Sequence, residues 1–285
     1  MHEAEELIRS SERSWPVSKD KLVTALLPRV GFSSYPWVAR GLPLGASRFG
    51  GPADLPAGVE WPRVHGRPML LLAQLNFGDL PIERDHHPVV ERLPERGWLC
   101  LFLDVDGDGN LRGTGGDEPG AVALQFTGDA GKLIRHDPQP APDAETWTHC
   151  HVVTVHPADH HLCLPDSEAV DSPLPERKRA ASRDAYKELR SEIEDLARSR
   201  HEVSLLGTPS LFNPDLRLSL QDPRDWMLLL QFDGDCSFLA GVRDPGNRHL
   251  SRPSFGSADY VQYFVRKADY DAGRLDRGFL DYMLT

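Results

Sequence analysis

The sequence predicts an α+β fold, mainly antiparallel β-sheet, built from two related halves with an N-terminal helical segment and a long linking helix. Residues 47–77 recur from residue 204 at a constant shift of 157, with seven identities in 31 positions. The identical pairs are Ser47/Ser204, Gly50/Gly207, Pro52/Pro209, Arg67/Arg224, Leu71/Leu228, Leu72/Leu229 and Gln74/Gln231. Both copies run from a Gly-x-Pro turn through an arginine to an apolar strand carrying a glutamine. This order indicates an internal duplication.

Local patterns predict the individual elements. Helices are expected at residues 2–12 and 18–30, the second with Ser18 as its N-cap, and residues 33–45 are expected to be irregular because they are rich in proline, glycine and aromatics. Apolar runs predict strands at 69–77, 97–105, 122–127, 148–155, 226–232 and 259–266, the first three as an antiparallel meander. Between the copies, residues 173–200 place apolar side chains at helical intervals, which predicts the linking helix.

These boundaries divide the chain into four parts. Residues 1–46 are expected to be an N-terminal segment packed on the core, 47–166 the first half, 167–203 the linking helix and 204–285 the second half. A shared repeat favours two halves around a common core, so we expect one compact globular unit.

Composition narrows the classes of function. A formal charge of −11 on 285 residues disfavours nucleic acid and anionic membranes as partners. The charged N-terminus has no apolar signal core, and the apolar runs are too short to span a bilayer. The four cysteines lie far apart without CxxC spacing, so we expect free thiols in a cytoplasmic protein.

Several segments resemble the YwqG-like family of uncharacterised bacterial proteins. They are SRFGGPADLP, VEWP, LLLAQLNFGDL, LPERGWLCLFLDVD, HEVSLLGTP, WMLLLQFDGD and DYVQYFVRKADY, and the resemblance extends from Ser47 to the C-terminus. It implies a compact α+β domain with two related halves and no established activity. Because some family members are associated with toxin and immunity genes, it also implies a role of that type. Two segments depart from the family pattern, because SLFNPDLRLSL lacks the usual glutamine and FGSADY lacks the usual short acidic glycine motif. The resemblance therefore does not extend to a site built from those groups.

Two stretches carry metal-binding residue types. Asp104, Asp106 and Asp108 in DVDGDGN match the first half of a calcium loop, but the twelfth position is Gly115 where a bidentate glutamate is needed. The alternative is a solvated turn after a strand. Histidines and cysteines also gather between 149 and 163, where a zinc site competes with the interpretation that they are surface and edge residues. No cofactor is expected, and calcium in the loop from Asp104 to Asp108 is kept as an alternative.

The polar residues that both copies share are Arg67, Gln74, Arg224 and Gln231. A glutamine on a buried strand needs partners for its amide, so each one either holds a neighbouring loop or contributes to a binding groove. A groove lined by all four residues would suit an extended peptide or an anionic small molecule.

Three functions are compatible with these observations. The first is a non-catalytic binding or interaction module, with a protein, a peptide or a small molecule as its partner. The second is a hydrolase-type enzyme that uses His and Asp residues at the repeat junction, although no catalytic motif is present. The third is calcium binding through Asp104, Asp106 and Asp108. We expect the binding module.

Overall fold

The computed structural model describes residues 2–37, 41–80, 87–104, 120–136, 150–154, 160–165, 172–175, 179–196, 203–209, 222–233 and 258–284. Its helices are α1 (His2–Ser10), α2 (Lys19–Thr24), α3 (Pro88–Glu91), α4 (Arg179–Asp195) and α5 (Lys267–Asp271). The first half of the chain contributes strands β1 (Leu27–Trp37), β2 (Arg48–Phe49), β3 (Ala53–Pro56), β4 (Arg63–Val64), β5 (Arg67–Pro68), β6 (Leu70–Asn76), β7 (Trp98–Leu103), β8 (Ala121–Phe126) and β9 (Leu133–His136). The remaining strands are β10 (Cys150–Thr154), β11 (His160–Cys163), β12 (Val203–Leu206), β13 (Trp226–Asp233), β14 (Ala258–Arg266) and β15 (Gly278–Leu284).

A single antiparallel sheet joins most of these strands, in the order β15-β14-β13-β12-β1-β10-β2-β6-β7-β8. Strand β11 also pairs with β1, and the two-stranded sheets β3-β9 and β4-β5 stand apart from it. We call β2-β6-β7-β8 the N-terminal run and β12-β13-β14-β15 the C-terminal run. The mixed α+β class, the antiparallel pairing and the predicted β6-β7-β8 meander are therefore confirmed.

The two runs meet through their apolar faces. Alternate residues of β6 and β7 and of β13 and β14 contribute to one hydrophobic core, because successive side chains of a strand point to opposite faces. Phe49 lies at the junction, with ring centroids 5.9 Å from Phe32 and 5.6 Å from Phe232, both edge to face. Because both runs bury side chains in this shared core, they pack against each other as one unit.

Irregularities recur at matching places in the two runs. The register between β6 and β7 shifts between Leu71 and Ala73, and that between β13 and β14 shifts between Leu228 and Leu230, 157 residues later. Phe102 pairs with Leu71, and Phe264 pairs with Leu228. A β-bulge therefore interrupts the same step of each run.

The turns after β2 and β12 match with a shift of 156 residues. Gly50 and Gly51 have φ of 67° and 71°, while Leu206 and Gly207 have φ of 62° and 89°. Leucine thus occupies a left-handed position that the first turn gives to glycine, at a cost of about 1–2 kcal/mol. The ungapped alignment, which pairs Gly50 with Gly207, is off by one residue in this turn.

The predicted helix over residues 18–30 is only partly correct. Ser18 caps α2 as expected, its hydroxyl accepting a hydrogen bond from the backbone N–H of Lys21, but the helix ends at Thr24. Strand β1 begins at Leu27 and continues into the segment predicted to be irregular. Pro28 cannot donate an intrahelical hydrogen bond, which favours the extended chain. Val30 and Phe32 then alternate onto the sheet core.

Helices α1, α2 and α4 form a second hydrophobic core with β11. Its buried residues include Ile8, Leu22, Tyr186 and Leu189. Arg13 reinforces it with a two-pronged ion pair to Glu192, whose N···O distances are 2.9 and 2.6 Å. In the described part of the chain, none of the helices has the length and apolar character needed to span a bilayer.

Helix α3 lies between β6 and β7 in the chain, and a hydrogen bond links it to the C-terminal run. His87 caps it, because its Nδ1 accepts a hydrogen bond from the Val89 N–H at 3.1 Å. The C-terminal run reaches the same helix through α5, where the Tyr270 hydroxyl donates to the Val89 carbonyl at 2.6 Å. Burial lowers the pKa of His87, although Glu91 and the Leu26 carbonyl oppose the shift.

Replacing Phe49 with alanine is expected to lower the free energy of unfolding by about 3–5 kcal/mol, because the cavity would lie where the two runs meet. Urea denaturation measures this loss. Leu44→Ala, at an exposed position, is the control and should stay within about 0.5 kcal/mol of the native chain. Equal effects of the two substitutions would contradict the shared core.

The capping role of His87 predicts a stability that depends on pH. Because its pKa is lowered in the folded state, stability is complete above the unfolded histidine pKa of about 6.5 and falls as the pH drops below that value. Urea midpoints at pH 7.5 and 5.5 should therefore differ more for the native chain than for His87→Asn, which keeps a capping oxygen. A variant with the same pH dependence as the native chain would exclude His87 as the cause.

Candidate functional site

The most buried charges in the described residues lie between β2 and β3. Arg48 and Asp54, both with fully buried side chains, form a direct ion pair. Arg135 on β9 joins them with its Nε 2.8 Å from one Asp54 oxygen and a terminal nitrogen 3.1 Å from the other. The backbone N–H of Gly45 also donates to Asp54 at 2.7 Å. The carboxylate is therefore held by two guanidinium groups and one amide.

This environment fixes the charge of Asp54. Burial alone would raise its pKa, but the hydrogen bonds and positive charges of Arg135 and Arg48 outweigh burial and hold the pKa below the usual value. A carboxylate kept ionised in this way has both oxygens occupied, so it acts as a structural anchor for the chain around it.

Gln74 holds a loop, as the first alternative for this residue predicted. Its carbonyl oxygen accepts a hydrogen bond from the Asp54 N–H at 2.8 Å, and its amide donates to the Ala46 carbonyl at 3.0 Å. The first group lies on β3 and the second in the loop before β2, so Gln74 fixes the chain on both sides of β2. The Cys100 thiol lies 3.7 Å from the same glutamine oxygen.

Gln231 lies in a different setting, on the outer face of the C-terminal run. Strand register aligns it with Ser204, Gln262 and Asp281, so four polar residues cross four adjacent strands. The Gln262 amide donates to the Gln231 oxygen at 2.9 Å. Gln74 and Gln231 are not brought together, because the two runs meet through their opposite, apolar faces.

The two predicted arginines form local ion pairs. Arg67 lies 3.4 Å from Asp104, one of the three predicted calcium ligands. Arg224 forms a two-pronged contact with Asp222, with distances of 3.0 and 2.9 Å, and is largely exposed. A ligand-binding role for Arg67, Gln74, Arg224 and Gln231 stays a prediction.

The predicted metal-binding stretches are only partly described. Asp104 is buried beside Arg67, while Asp106 and Asp108 lie outside the described residues. In the stretch from 149 to 163, strand register pairs Cys150 with Trp37 and Cys163 with Leu27, at opposite ends of β1. The two pairing positions are ten residues apart along β1. Within the ranges that can be described, no group of three or more His, Cys, Asp or Glu side chains converges.

Cys100 and Cys163 are buried free thiols. Burial raises the pKa of Cys100, with Arg48 opposing and Asp54 adding to the shift, which keeps this thiol protonated. Cys163 donates to the Leu27 carbonyl at 3.4 Å and accepts from the Thr208 hydroxyl at 3.8 Å. Because both thiols are buried and free, these cysteines fill the protein interior as small side chains.

Arg135 also organises a surface feature. Its terminal nitrogen donates to the carbonyls of Leu42 and Pro43 at 3.0 and 3.2 Å, which joins the loop before β2 to strand β9. Leu44 in this loop is 39% exposed, and Ile134 on β9 is 49% exposed. We call residues 42–45 together with β9 the corner. It presents two aliphatic side chains to solvent on a framework anchored by buried charges.

Sequence comparison within the chain missed Arg48, Asp54 and Arg135. The shift of 157 residues places leucines, Leu205 and Leu211, opposite Arg48 and Asp54, so a search for residues shared by both copies discards the pair. The useful signal was the presence of both charges in one short apolar segment, SRFGGPADLP, because buried charges require partners.

Replacing Asp54 with asparagine is expected to cost about 3–5 kcal/mol of stability at pH 7, because Arg48 would remain buried without its counter-charge. Since the Asp54 pKa is lowered in the folded state, this difference should shrink as the pH falls below the unfolded value of about 4. Urea denaturation at pH 7 and at pH 3.5 tests both expectations. The exposed Asp195→Asn is the matched control, and a loss at pH 7 no larger than that of the control would contradict the anchoring role.

Comparison with known proteins identifies the family of this chain. A search of curated proteins found no match. A family model described as a domain of unknown function, DUF1963, matches residues 47–278, which include the Arg48–Asp54 pair, the N-terminal run, strands β12 to β14 and helix α4. Since the match covers most of the chain, the protein belongs to the DUF1963 family.

Proposed function

We propose that this protein is a non-catalytic binding module that presents the corner to a protein partner. The observation that carries the proposal is the coupling of exposed aliphatic side chains to a buried charge network. Arg135 contacts Asp54 on one side and the carbonyls beside Leu44 on the other. A single scaffold therefore positions both Leu44 and Ile134.

Energetics favour a binding role for these two side chains. Leaving an aliphatic side chain in water forgoes about 1.5–3 kcal/mol of burial free energy, which a partner covering it would recover. Lone exposed hydrophobic residues are common on protein surfaces. The corner differs because the Arg135 guanidinium binds Asp54 and the two carbonyls that precede Leu44, while Ile134 is the residue before Arg135 on β9. A surface anchored in this way loses less conformational entropy on binding.

The reactive groups near the network have structural roles, which supports binding over catalysis. Asp54 has its oxygens engaged by two arginines and an amide, and the Cys100 thiol is kept protonated by burial. Neither group is poised as a base or a nucleophile. The hydrolase at the repeat junction and calcium binding through Asp104, Asp106 and Asp108 remain predictions.

We propose further that the two runs arose by internal duplication, with α4 as the helix linking them. Matching bulges 157 residues apart and paired left-handed turns support this origin. Membership of DUF1963 is compatible with the expected YwqG-like identity, a bacterial source and a cytoplasmic location, which we retain as proposals. An immunity-type role would be one form of the binding function.

The binding role can be tested by affinity capture from cells that produce the protein natively. Capture with the native chain, Ile134→Asp and Leu196→Asp should recover a partner that only Ile134→Asp loses, since a charge at residue 134 disrupts an apolar contact. Leu196 is the matched control, because it is 36% exposed but lies beyond the last turn of α4, away from the corner.

The captured partner should then be purified and its affinity measured by calorimetry. We expect Ile134→Asp to weaken the affinity by about tenfold or more, the size of a moderate interface contact. Equal affinities for Ile134→Asp and Leu196→Asp would overturn the assignment of the corner as the binding surface.

A further inference from the structure

One series of hydrogen bonds crosses the molecule through His87. Its Nδ1 accepts from the Val89 N–H at 3.1 Å, and the ring also interacts with the Leu26 carbonyl. The Val89 carbonyl in turn accepts from the Tyr270 hydroxyl at 2.6 Å. Leu26 immediately precedes β1, Val89 belongs to α3 and Tyr270 belongs to α5. A single imidazole therefore links the N-terminal segment to α3 and, through Val89, to the C-terminal run.

These contacts require the neutral form of the imidazole. A neutral ring that accepts a hydrogen bond at Nδ1 carries its proton on Nε2, where it can donate to a carbonyl such as that of Leu26. A second proton on Nδ1 would turn the acceptor into a donor that faces the Val89 N–H. The cap would then be lost, so His87 closes α3 only while its ring is neutral.

Helix α3 depends on this cap because it is only one turn long, Pro88–Glu91. An isolated turn is unstable in water, so cap and tertiary contacts must hold it. The backbone N–H groups of Val90 and Glu91 bond to the His87 carbonyl at 2.8 and 3.1 Å, and the Val90 side chain is buried in the shared core. The direction of the Val89 carbonyl toward α5 therefore depends on the first turn staying closed.

The elements around the ring set its affinity for a proton. On α3 the Glu91 carboxylate favours the protonated ring, and before β1 the Leu26 carbonyl does the same. On α5 Asp271 is paired with Arg92, the C-cap of α3. Burial outweighs Glu91 and Leu26 and lowers the pKa of His87. Because a solvated histidine has a pKa of about 6.5, release of the ring is increasingly favoured as the pH falls below that value.

We propose that His87 is a proton-controlled latch, which holds α3 against α5 while its ring is neutral and opens the first turn of α3 when Nδ1 takes a proton from solvent. Opening turns the Val89 carbonyl away from α5, so the Tyr270 hydroxyl loses its acceptor. The latch adds a pH-dependent conformational change that the binding function proposed above neither requires nor predicts.

Hydrogen exchange of single amides in the full chain tests the latch at pH 7.5 and 5.5, with each rate corrected for its intrinsic pH dependence. Val90 and Glu91 report on α3, and Gly273, whose N–H bonds to the Tyr270 carbonyl at 2.9 Å, reports on α5. Protection of all three amides should fall by about three- to tenfold at pH 5.5, because one proton with an unfolded pKa of about 6.5 contributes at most about tenfold there.

The same exchange rates should be insensitive to low concentrations of urea, as is typical of local opening. Three results would overturn the latch. They are unchanged protection at α3, a loss at α3 that Gly273 does not share, and exchange that occurs only with the urea dependence of global unfolding.

Two variants assign the effect to His87. His87→Asn supplies an acceptor and a donor without titrating, so the pH dependence at Val90 and Gly273 should disappear. His65→Asn is the matched control and should behave as the native chain. His65 is exposed on the β4–β5 turn with φ of 49°, a left-handed conformation that asparagine also adopts. If the pH dependence persists in His87→Asn, another group binds the proton and the proposal fails.

Tyr270→Phe separates the release of α5 from the opening of α3. It keeps the ring in the core and removes only the hydroxyl, so Gly273 should lose its pH dependence while Val90 keeps it. A Gly273 rate that still follows the pH would exclude Tyr270 as the link. Imidazole nitrogen chemical shifts at pH 7.5 should also show the His87 proton on Nε2, and the opposite tautomer would overturn the proposal.

Discussion

The ion pair between Arg48 and Asp54 is the constraint on which the N-terminal run and its surface depend. Two opposite charges without solvent contact are stable only when their hydrogen-bonding positions are well matched. Asp54 meets that condition through Arg48, Arg135 and the Gly45 N–H. As a result, the loop before β2, the segment after it and the distant strand β9 are fixed to one carboxylate.

Apolar burial and polar anchoring have separate roles in this protein. The shared face of the two runs is almost entirely apolar, with Phe49 packed against Phe32 and Phe232. Polar groups lie on the outer faces, where Gln74 binds the backbone before and after β2. The shared core therefore joins the runs, while the outer polar contacts determine how each run is covered and what it presents to solvent.

Periodic apolar patterns predicted most of the β-sheet, because a strand buried on both faces leaves a continuous run such as that of β6. They failed at β1, where apolar spacing around Leu22 and Leu26 continued into Val30 and imitated a helix, although Pro28 favours an extended chain. Predictions about the site were weaker because they depended on residues shared by the two aligned segments, 47–77 and 204–234. Gln74 was found by that criterion, but Arg48 and Asp54 have no charged counterpart. Arg135 joins them only through the pairing of β3 with β9, a long-range contact that sequence spacing does not reveal.

Strand β1 has a further consequence for how the chain acquires its structure during synthesis. It is completed by residue 37, yet its partners β10, β11 and β12 lie between residues 150 and 206. A nascent chain emerging from the ribosome must therefore keep β1 unpaired while more than a hundred further residues are translated. Pairings of such high sequence separation form slowly and leave apolar edges open to misassembly. The central strand of the finished sheet is thus among the last to find its place, and it is the segment that a chaperone would have most reason to protect.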